Sequence, residues 1–257
     1  HAMSTKTPIP DGLSSAPAAG RFGLFRSPWL WGAAATWGVY AAIPHSGTWQ
    51  PFWQRYLAGH PVEYAEVGLF LVGVAVLVFK ALRLTYEKHA VAWTALTLSP
   101  PLDIATAIQR LQERLTELPA SLYGTYAVQR LVNIADYLRD RNDADGLEAH
   151  AQLLTQQAAD RQHDDYGQLQ TLIWAVPILG FLGTVMGITL SIANITPDQL
   201  DTSLDSVTGG LAVAFDTTAV ARIQSIVLVF GAFFIKRTET RLLAQIEEQV
   251  FKGLISP

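Results

Sequence analysis

Residues 173–195 read IWAVPILGFLGTVMGITLSIANI, an apolar stretch long enough to cross a bilayer as one helix. A membrane-spanning helix needs about 17–25 predominantly apolar residues. This stretch also contains Pro177, Thr184 and three glycines. Glycines remove side-chain volume where a lipid-facing helix would carry large apolar groups. We therefore expect another helix, not lipid, to pack against this part of the segment.

The composition predicts an integral membrane protein. Half of the 257 residues are hydrophobic and 16% are charged, whereas soluble domains carry about 25% charged residues. Four apolar blocks stand out, of which the first is short for a span: Pro28–Ile43, Val67–Leu84, Thr171–Ile195 and Val207–Ile235. The predicted fold class is all-α with four transmembrane helices.

The basic residues are distributed unevenly among the segments that connect these blocks. Sixteen of the 18 Lys and Arg residues lie in the N-terminal segment, at the end of the second block, in the long connection 85–170 or in the C-terminal tail. The connection 44–63 contains only Arg55, and 196–206 contains no basic residue. By the positive-inside rule, both termini and the long connection are cytoplasmic.

These observations predict five segments. Residues 1–27 form a flexible N-terminal segment, in which residues 1–2 look like an expression scar. Residues 28–84 hold the first transmembrane pair, 85–170 a cytoplasmic helical domain, 171–235 the second pair and 236–257 a cytoplasmic C-terminal helix. The third and fourth helices are expected to continue into the cytoplasm. Helical periodicity in the connection places two sets of apolar residues on single faces: Ile104, Ile108, Leu111 and Leu115, and Leu131, Ile134, Ala135 and Leu138.

No sequence pattern indicates an enzyme. There is no Walker loop, no GxSxG and no pair of carboxylates in a catalytic setting. The histidines form no zinc pattern, and the segment DRQHDD at 160–165 is interpreted as a solvated helix face. No catalytic residue, metal site or cofactor is predicted. The net charge of −4 argues against nucleic acid as a partner.

Small and weakly polar residues form a narrow stripe on each of the last two spans. The third span contributes Pro177, Gly180, Thr184, Gly187 and Ser191, and the fourth contributes Ala214, Thr217, Thr218, Ala221 and Ser225. Such stripes allow close helix contact in lipid. From the pattern alone, tight packing of two helices and a pathway for an ion or a partner helix both stay open.

Two motifs resemble the MotA/TolQ/ExbB proton-channel family. The stretch PILGFLGTVMG at 177–187 is similar to that family's P-x-L-G-x-L-G-T-V-x-G signature, and AFDTTA at 214–219 resembles its A-L-x-x-T-A segment. The resemblance implies a pentamer around a dimer of single-span, ExbD/TolR/MotB-like partners, each with a membrane aspartate. It also implies a location in a bacterial inner membrane, where ion flow at this interface drives rotation, with protons favoured and sodium an alternative.

The resemblance assigns roles to the stripe residues. Thr184 and Thr218 match the pore threonines, and Thr217 is expected to share their role. Pro177, Gly180, Gly183 and Gly187 match packing positions, so that the second transmembrane pair lines the pore and its stripes face the partner helices. The subfamily and the load that the motor drives stay open. A non-conducting membrane scaffold is the alternative function, while a secondary transporter would need internal repeats that the sequence lacks.

Charged residues near the pore pair lead to two further expectations. Asp216 and Arg222 lie inside the fourth span, where an unpaired charge is costly. Arg222 of one subunit is expected to pair with Asp216 of the next, and the alternative is that Arg222 meets the partner's aspartate. Asp198, Asp201 and Asp205 are placed at the outer mouth, where they either attract cations or keep a short loop soluble.

Overall fold

The computed structural model describes residues 27–95, 119, 122, 124–141, 146–193 and 200–254. Helix α1 spans Pro28–Ala42, and short 3₁₀ helices at Ile43–His45 and Gly47–Trp49 lead to α2 at Gln50–Leu57. The longer helices that follow are α3 at Pro61–Ala95, α4 at Tyr126–Arg141, α5 at Leu147–Ala193 and α6 at Leu200–Leu254. All regular structure in these described residues is helical, which confirms the predicted all-α class.

Three helices are long and apolar enough to cross a membrane. They run over Pro61–Ala92, Ala149–Ala193 and Val207–Glu248. They contain the second and fourth predicted spans and residues 171–193 of the third. Helix α1 has 15 residues and is not among them. The four-span layout therefore stays a prediction.

Helices α5 and α6 are much longer than a bilayer requires. They contain 47 and 55 residues, which correspond to about 70 and 80 Å of helix. The hydrocarbon core is only about 30 Å thick. Both helices thus have the length to continue well beyond the lipid, as expected from the sequence. The side of the membrane on which they continue stays a prediction.

The described residues fall into two compact units. The first lies within Phe22–Lys80 and Asp164–Ile235, and the second within Ala81–His163 and Lys236–Pro257. Each unit has its own cluster of buried apolar side chains. The functions and membrane sides that the sequence assigns to the five segments stay predictions.

In the first unit, glycines allow α3 to approach two other helices. A Cβ atom on Gly32 of α1 would lie 2.6 Å from the Cα atom of Val72. A Cβ atom on Gly73 would lie 2.9 Å from a methyl group of Leu228, on α6. Each glycine therefore provides the space that the opposing residue occupies.

The second unit packs around the apolar face of α4. Leu131, Ile134 and Ala135 are all at most 2% exposed, as the helical periodicity predicts. The N-terminus of α4 is capped from α3, because the Glu87 carboxylate accepts hydrogen bonds from the backbone N–H groups of Tyr126 and Ala127 at 2.7 and 3.4 Å. The side chain of Leu138 and the predicted face at 104–115 lie outside the described residues.

Candidate functional site

The hydroxyl groups of Thr184 and Thr218 contact each other between α5 and α6. Both side chains are partly buried, and both hydroxyls lie near backbone carbonyls. The carbonyl oxygen of Gly180 is 3.2 Å from Thr184 Oγ1 and 3.0 Å from Thr218 Oγ1, and that of Ala214 is 3.0 Å from Thr184 Oγ1. Two hydroxyls and two carbonyls therefore form a compact group of oxygens within two candidate spans.

This group of oxygens differs chemically from the apolar residues around it. A hydroxyl both donates and accepts hydrogen bonds. Clustered hydroxyl and carbonyl oxygens can replace part of the hydration shell of a cation. The same hydroxyls can pass a proton from one oxygen to the next. The structure thus brings together the two threonines that the sequence assigns to the ion pathway; their role in conduction stays a prediction.

The small residues of the predicted stripes lie where α5 and α6 meet. A Cβ atom on Gly183 would lie 2.7 Å from Thr217 Cγ2, and one on Gly187 would lie 2.7 Å from Ala214 Cβ. Gly180 faces Ala221 and Ser191 faces Gly210 in the same way. Within the chain, these residues pack α5 against α6. The expected contact of the stripes with partner helices stays a prediction.

Pro177 and Ser225 are connected through one backbone carbonyl. A proline inside a helix has no N–H group to donate to the carbonyl four residues before it, which here belongs to Ile173. The Ser225 hydroxyl on α6 donates to this oxygen at 3.2 Å. Ser225 therefore supplies the hydrogen bond that Pro177 removes from α5. Such compensation is needed where no water reaches the backbone.

Thr217 lies beside Thr218 in the sequence but has different partners. Its side chain is 1% exposed, and its hydroxyl lies 2.8 Å from Glu63 Oε1 and 3.0 Å from the carbonyl oxygen of Val213. Thr217 is predicted from the sequence to share the role of the pore threonines, whereas Glu63 is not among the predicted site residues. The sequence does contain a feature that could have indicated Glu63, because Glu63 and Glu66 form an E-x-x-E pair directly before the second apolar block.

Asp216 has a partner on its own chain that the sequence does not suggest. Arg55 of α2 donates from Nε to Asp216 Oδ2 at 2.7 Å, and the side chains are 53% and 19% exposed, respectively. This hydrogen bond to the carboxylate raises the pKa of Arg55 above its usual value. Asp216 therefore does not require Arg222 of another subunit to balance its charge.

Arg222 lies on the exposed side of α6. No hydrogen bond or ion pair joins it to another residue of the described parts of the chain. Its pairing with Asp216 of a second subunit, or with an acidic group of a partner, stays a prediction. The backbone of Asp201 and Asp205 belongs to α6, so these two residues do not lie in the short loop that the sequence predicts. Asp198 and the side chains of Asp201 and Asp205 lie outside the described residues.

Metal-binding side chains do not cluster in the parts of the chain that the structure describes. No group of three or more His, Cys, Asp or Glu residues there could hold a metal ion. In the DRQHDD segment, Asp165 makes an ion pair with Lys80 at 3.4 Å, and the side chain of Gln162 lies 3.5 Å from the Thr240 hydroxyl.

Comparison with known proteins identifies a family match over the part of the chain that contains both motifs. The sequence profile of the MotA/TolQ/ExbB proton channel family matches residues 119–248. This range covers half of the chain, including all of α4 and α5 and most of α6. No curated protein and no solved structure matches the chain.

Proposed function

This chain belongs to the MotA/TolQ/ExbB proton channel family, and on that basis we propose that it is the channel-forming subunit of an ion-driven motor in a bacterial inner membrane. In this role it couples the flow of protons down the ion-motive force to mechanical work. Sodium is the alternative ion. The subunit forms a pentamer around a dimer of single-span partners of the ExbD/TolR/MotB type.

The contact between Thr184 and Thr218 is the observation that supports this proposal best. The two hydroxyls and the carbonyls of Gly180 and Ala214 place four oxygens together inside apolar helices. Both hydroxyls are only partly buried within the chain, so one side of the group is open to a neighbouring molecule. A partner helix with a carboxylate on this side would complete a path for a proton.

The exposed faces of α5 and α6 support assembly into a ring. Phe181 and Val185 lie on the exposed side of α5 and are 65% and 44% exposed, and Phe215 on α6 is 58% exposed. Arg222 is exposed on the same helix. Lipid solvates apolar side chains well, but an arginine among them requires water or an acidic partner. A ring with partner helices at its centre provides a protein surface for this charge.

The membrane topology follows from the charge distribution. We propose four spans, with α1 as the first, and with both termini and the connection 85–170 in the cytoplasm. The connection between the first two spans and the segment 196–206 then lie on the outer side. Arg55 is the one basic residue in 44–63 and is paired with Asp216, which is consistent with an outer position for this connection.

The number of subunits and the partner are tested by purification from the native host. We expect native mass spectrometry of the affinity-purified complex in detergent to show five copies of this chain and two copies of a single-span protein with an aspartate in its membrane helix. A stable monomer or dimer in the presence of the partner would contradict the ring. A ring without any single-span partner would favour the non-conducting scaffold.

A further inference from the structure

Two carboxylates are buried at the start of α3, outside the group formed by Thr184 and Thr218. The side chains of Glu63 and Glu66 are 1% and 0% exposed. They stand three residues apart, so they occupy neighbouring positions on one face of the helix. Both lie within the candidate span Pro61–Ala92. Burial of two acidic groups this close together requires compensation for their charge.

Glu63 is fully provided with hydrogen-bond donors. Its Oε2 atom accepts from the backbone N–H groups of Gly59 and His60 at 2.7 and 3.2 Å. Its Oε1 atom lies 2.8 Å from the Thr217 hydroxyl on α6. The two backbone bonds cap the N-terminus of α3 in the manner of a capping box. Glu63 is therefore surrounded by donors, as a negatively charged carboxylate requires.

Glu66 has no such partners. Both of its carboxylate oxygens are buried, and neither forms a hydrogen bond with the described residues. A bare carboxylate in this position would lack solvation and would also be repelled by Glu63. A proton alone would remove the charge, yet the acid would still have a hydroxyl without an acceptor and a carbonyl without a donor. A metal cation would neutralise the charge and give both free oxygens of Glu66 a partner.

We infer that Glu63 and Glu66 bind a divalent metal cation of the calcium or magnesium type. The two carboxylates supply the two negative charges that such an ion balances. Hard divalent cations bind carboxylate, hydroxyl and carbonyl oxygens together with water. No third acidic, His or Cys side chain joins this pair among the described residues, so the Thr217 hydroxyl, backbone carbonyls and water complete the coordination.

The site would act as a clamp between α3 and α6. Thr217 connects Glu63 to α6, and its neighbour Thr218 contacts Thr184. An ion held by the two glutamates would therefore fix α3 against the helix that carries one of the two contacting hydroxyls. This inference rests on the contacts of Glu63 and Glu66 and does not depend on the proposed ion flow.

Thermal unfolding of the full chain in detergent tests the inference. The protein is first treated with a chelator and then unfolded in chloride salts of calcium, magnesium or potassium at matched ionic strength, with tryptophan fluorescence as the signal. We expect calcium or magnesium to raise Tm and potassium to leave it unchanged, since an ion that binds only the folded state stabilises it. Glu66→Gln should abolish the shift, because an amide keeps the size of the side chain and loses its charge.

Glu87→Gln provides the matched control. Glu87 is a buried glutamate of the same helix, but its two oxygens accept backbone hydrogen bonds from α4. This variant should retain the divalent-dependent shift, whatever its own Tm. The same shift in Glu66→Gln and in the unmodified chain would overturn the inference.

Calorimetric titration of the unmodified chain gives an answer that does not depend on any variant. Binding of one calcium or magnesium ion per chain is the expected result, and absence of binding by both ions would overturn the inference. If neither ion binds and Glu66→Gln is as stable as the unmodified chain, Glu66 carries a proton instead. Because these measurements follow unfolding and binding, they are independent of whether the channel conducts.

Discussion

Thr217 and Thr218 are neighbours in the sequence, but their side chains have different surroundings. Thr218 contacts Thr184 and lies near the carbonyl of Gly180, whereas Thr217 is buried against Glu63. The AFDTTA segment therefore has two hydroxyls on two different sides of α6. The motif alone does not distinguish them, because both are threonines in an apolar helix.

Valine substitutions should separate the two threonines by their effect on stability. Thr217→Val removes a donor from a buried carboxylate, which costs about 1–3 kcal/mol, and we expect a clear decrease in Tm. Thr218→Val should reduce Tm less, because Thr184 keeps the carbonyl oxygens of Gly180 and Ala214 as acceptors. Thermal unfolding of both purified variants measures the difference. Equal losses of stability would contradict the separate environments.

The Arg55–Asp216 ion pair should give a measurable coupling in a double-mutant cycle. We expect Arg55→Gln and Asp216→Asn together to cost less stability than the sum of the single changes. The coupling should be small, since more than half of the Arg55 side chain is exposed and water screens its interaction with the carboxylate. This coupling is compared with that of a second cycle, in which Arg222→Gln and Asp216→Asn are combined in the assembled ring. A larger coupling in that cycle would restore the pairing expected from the sequence.

The contact between helices α5 and α6 depends on residues that lack large side chains. The glycines of GFLGTVMG lie opposite Thr217, Ala214 and Ala221. Pro177 interrupts the hydrogen bonds of α5, and Ser225 of α6 replaces the missing donor. The signature thus encodes one specific helix–helix contact, in which a glycine on one helix makes room for a residue on the other.

Gly187→Ala tests this contact. The new Cβ atom would lie 2.7 Å from Ala214 Cβ, so the helices must move apart, at a cost of about 1–3 kcal/mol. Gly167→Ala is the matched control on α5, because no atom lies within 4 Å of its new Cβ atom. There alanine should stabilise the helix by about 0.5–1 kcal/mol. Opposite changes in Tm are expected, and a Gly187→Ala variant as stable as Gly167→Ala would contradict the packing.

The sequence predicts the helices better than it predicts their polar contacts. Apolar length and periodicity identify the three long spans and the buried face of α4, because these signals are local. The contacts of Glu63 with Thr217 and of Arg55 with Asp216 join residues 154 and 161 positions apart. Such pairs depend on how α2, α3 and α6 are packed, which one sequence does not reveal.

The acidic residues before the fourth span are expected to affect conduction through the assembled channel. Asp198, Asp201 and Asp205 lie in the segment 196–206, which contains no basic residue. If these carboxylates concentrate cations at the entrance, replacing all three with asparagine should reduce ion flow most at low ionic strength, since salt screens the attraction. Flow measured over a series of salt concentrations tests this. A reduction that does not change with salt would argue for a role in the solubility of this segment alone.

We expect this chain to conduct ions together with its partner through the site at Thr184 and Thr218. Proton uptake can be measured in proteoliposomes that contain the purified complex, with an imposed membrane potential and a pH-sensitive dye inside. Thr189→Val is the control variant. Thr189 is also a threonine of α5, but its hydroxyl donates within its own helix, to the carbonyl oxygen of Val185 at 2.8 Å.

We predict proton uptake by the unmodified complex and by Thr189→Val, and uptake at the level of protein-free liposomes for Thr184→Val, with an intact ring in all three preparations. If protons do not pass but a sodium gradient gives the same pattern with a sodium-sensitive dye, the ion is sodium. An intact complex that passes neither ion, or equal flow in Thr184→Val and the unmodified complex, would contradict ion conduction through the Thr184–Thr218 site.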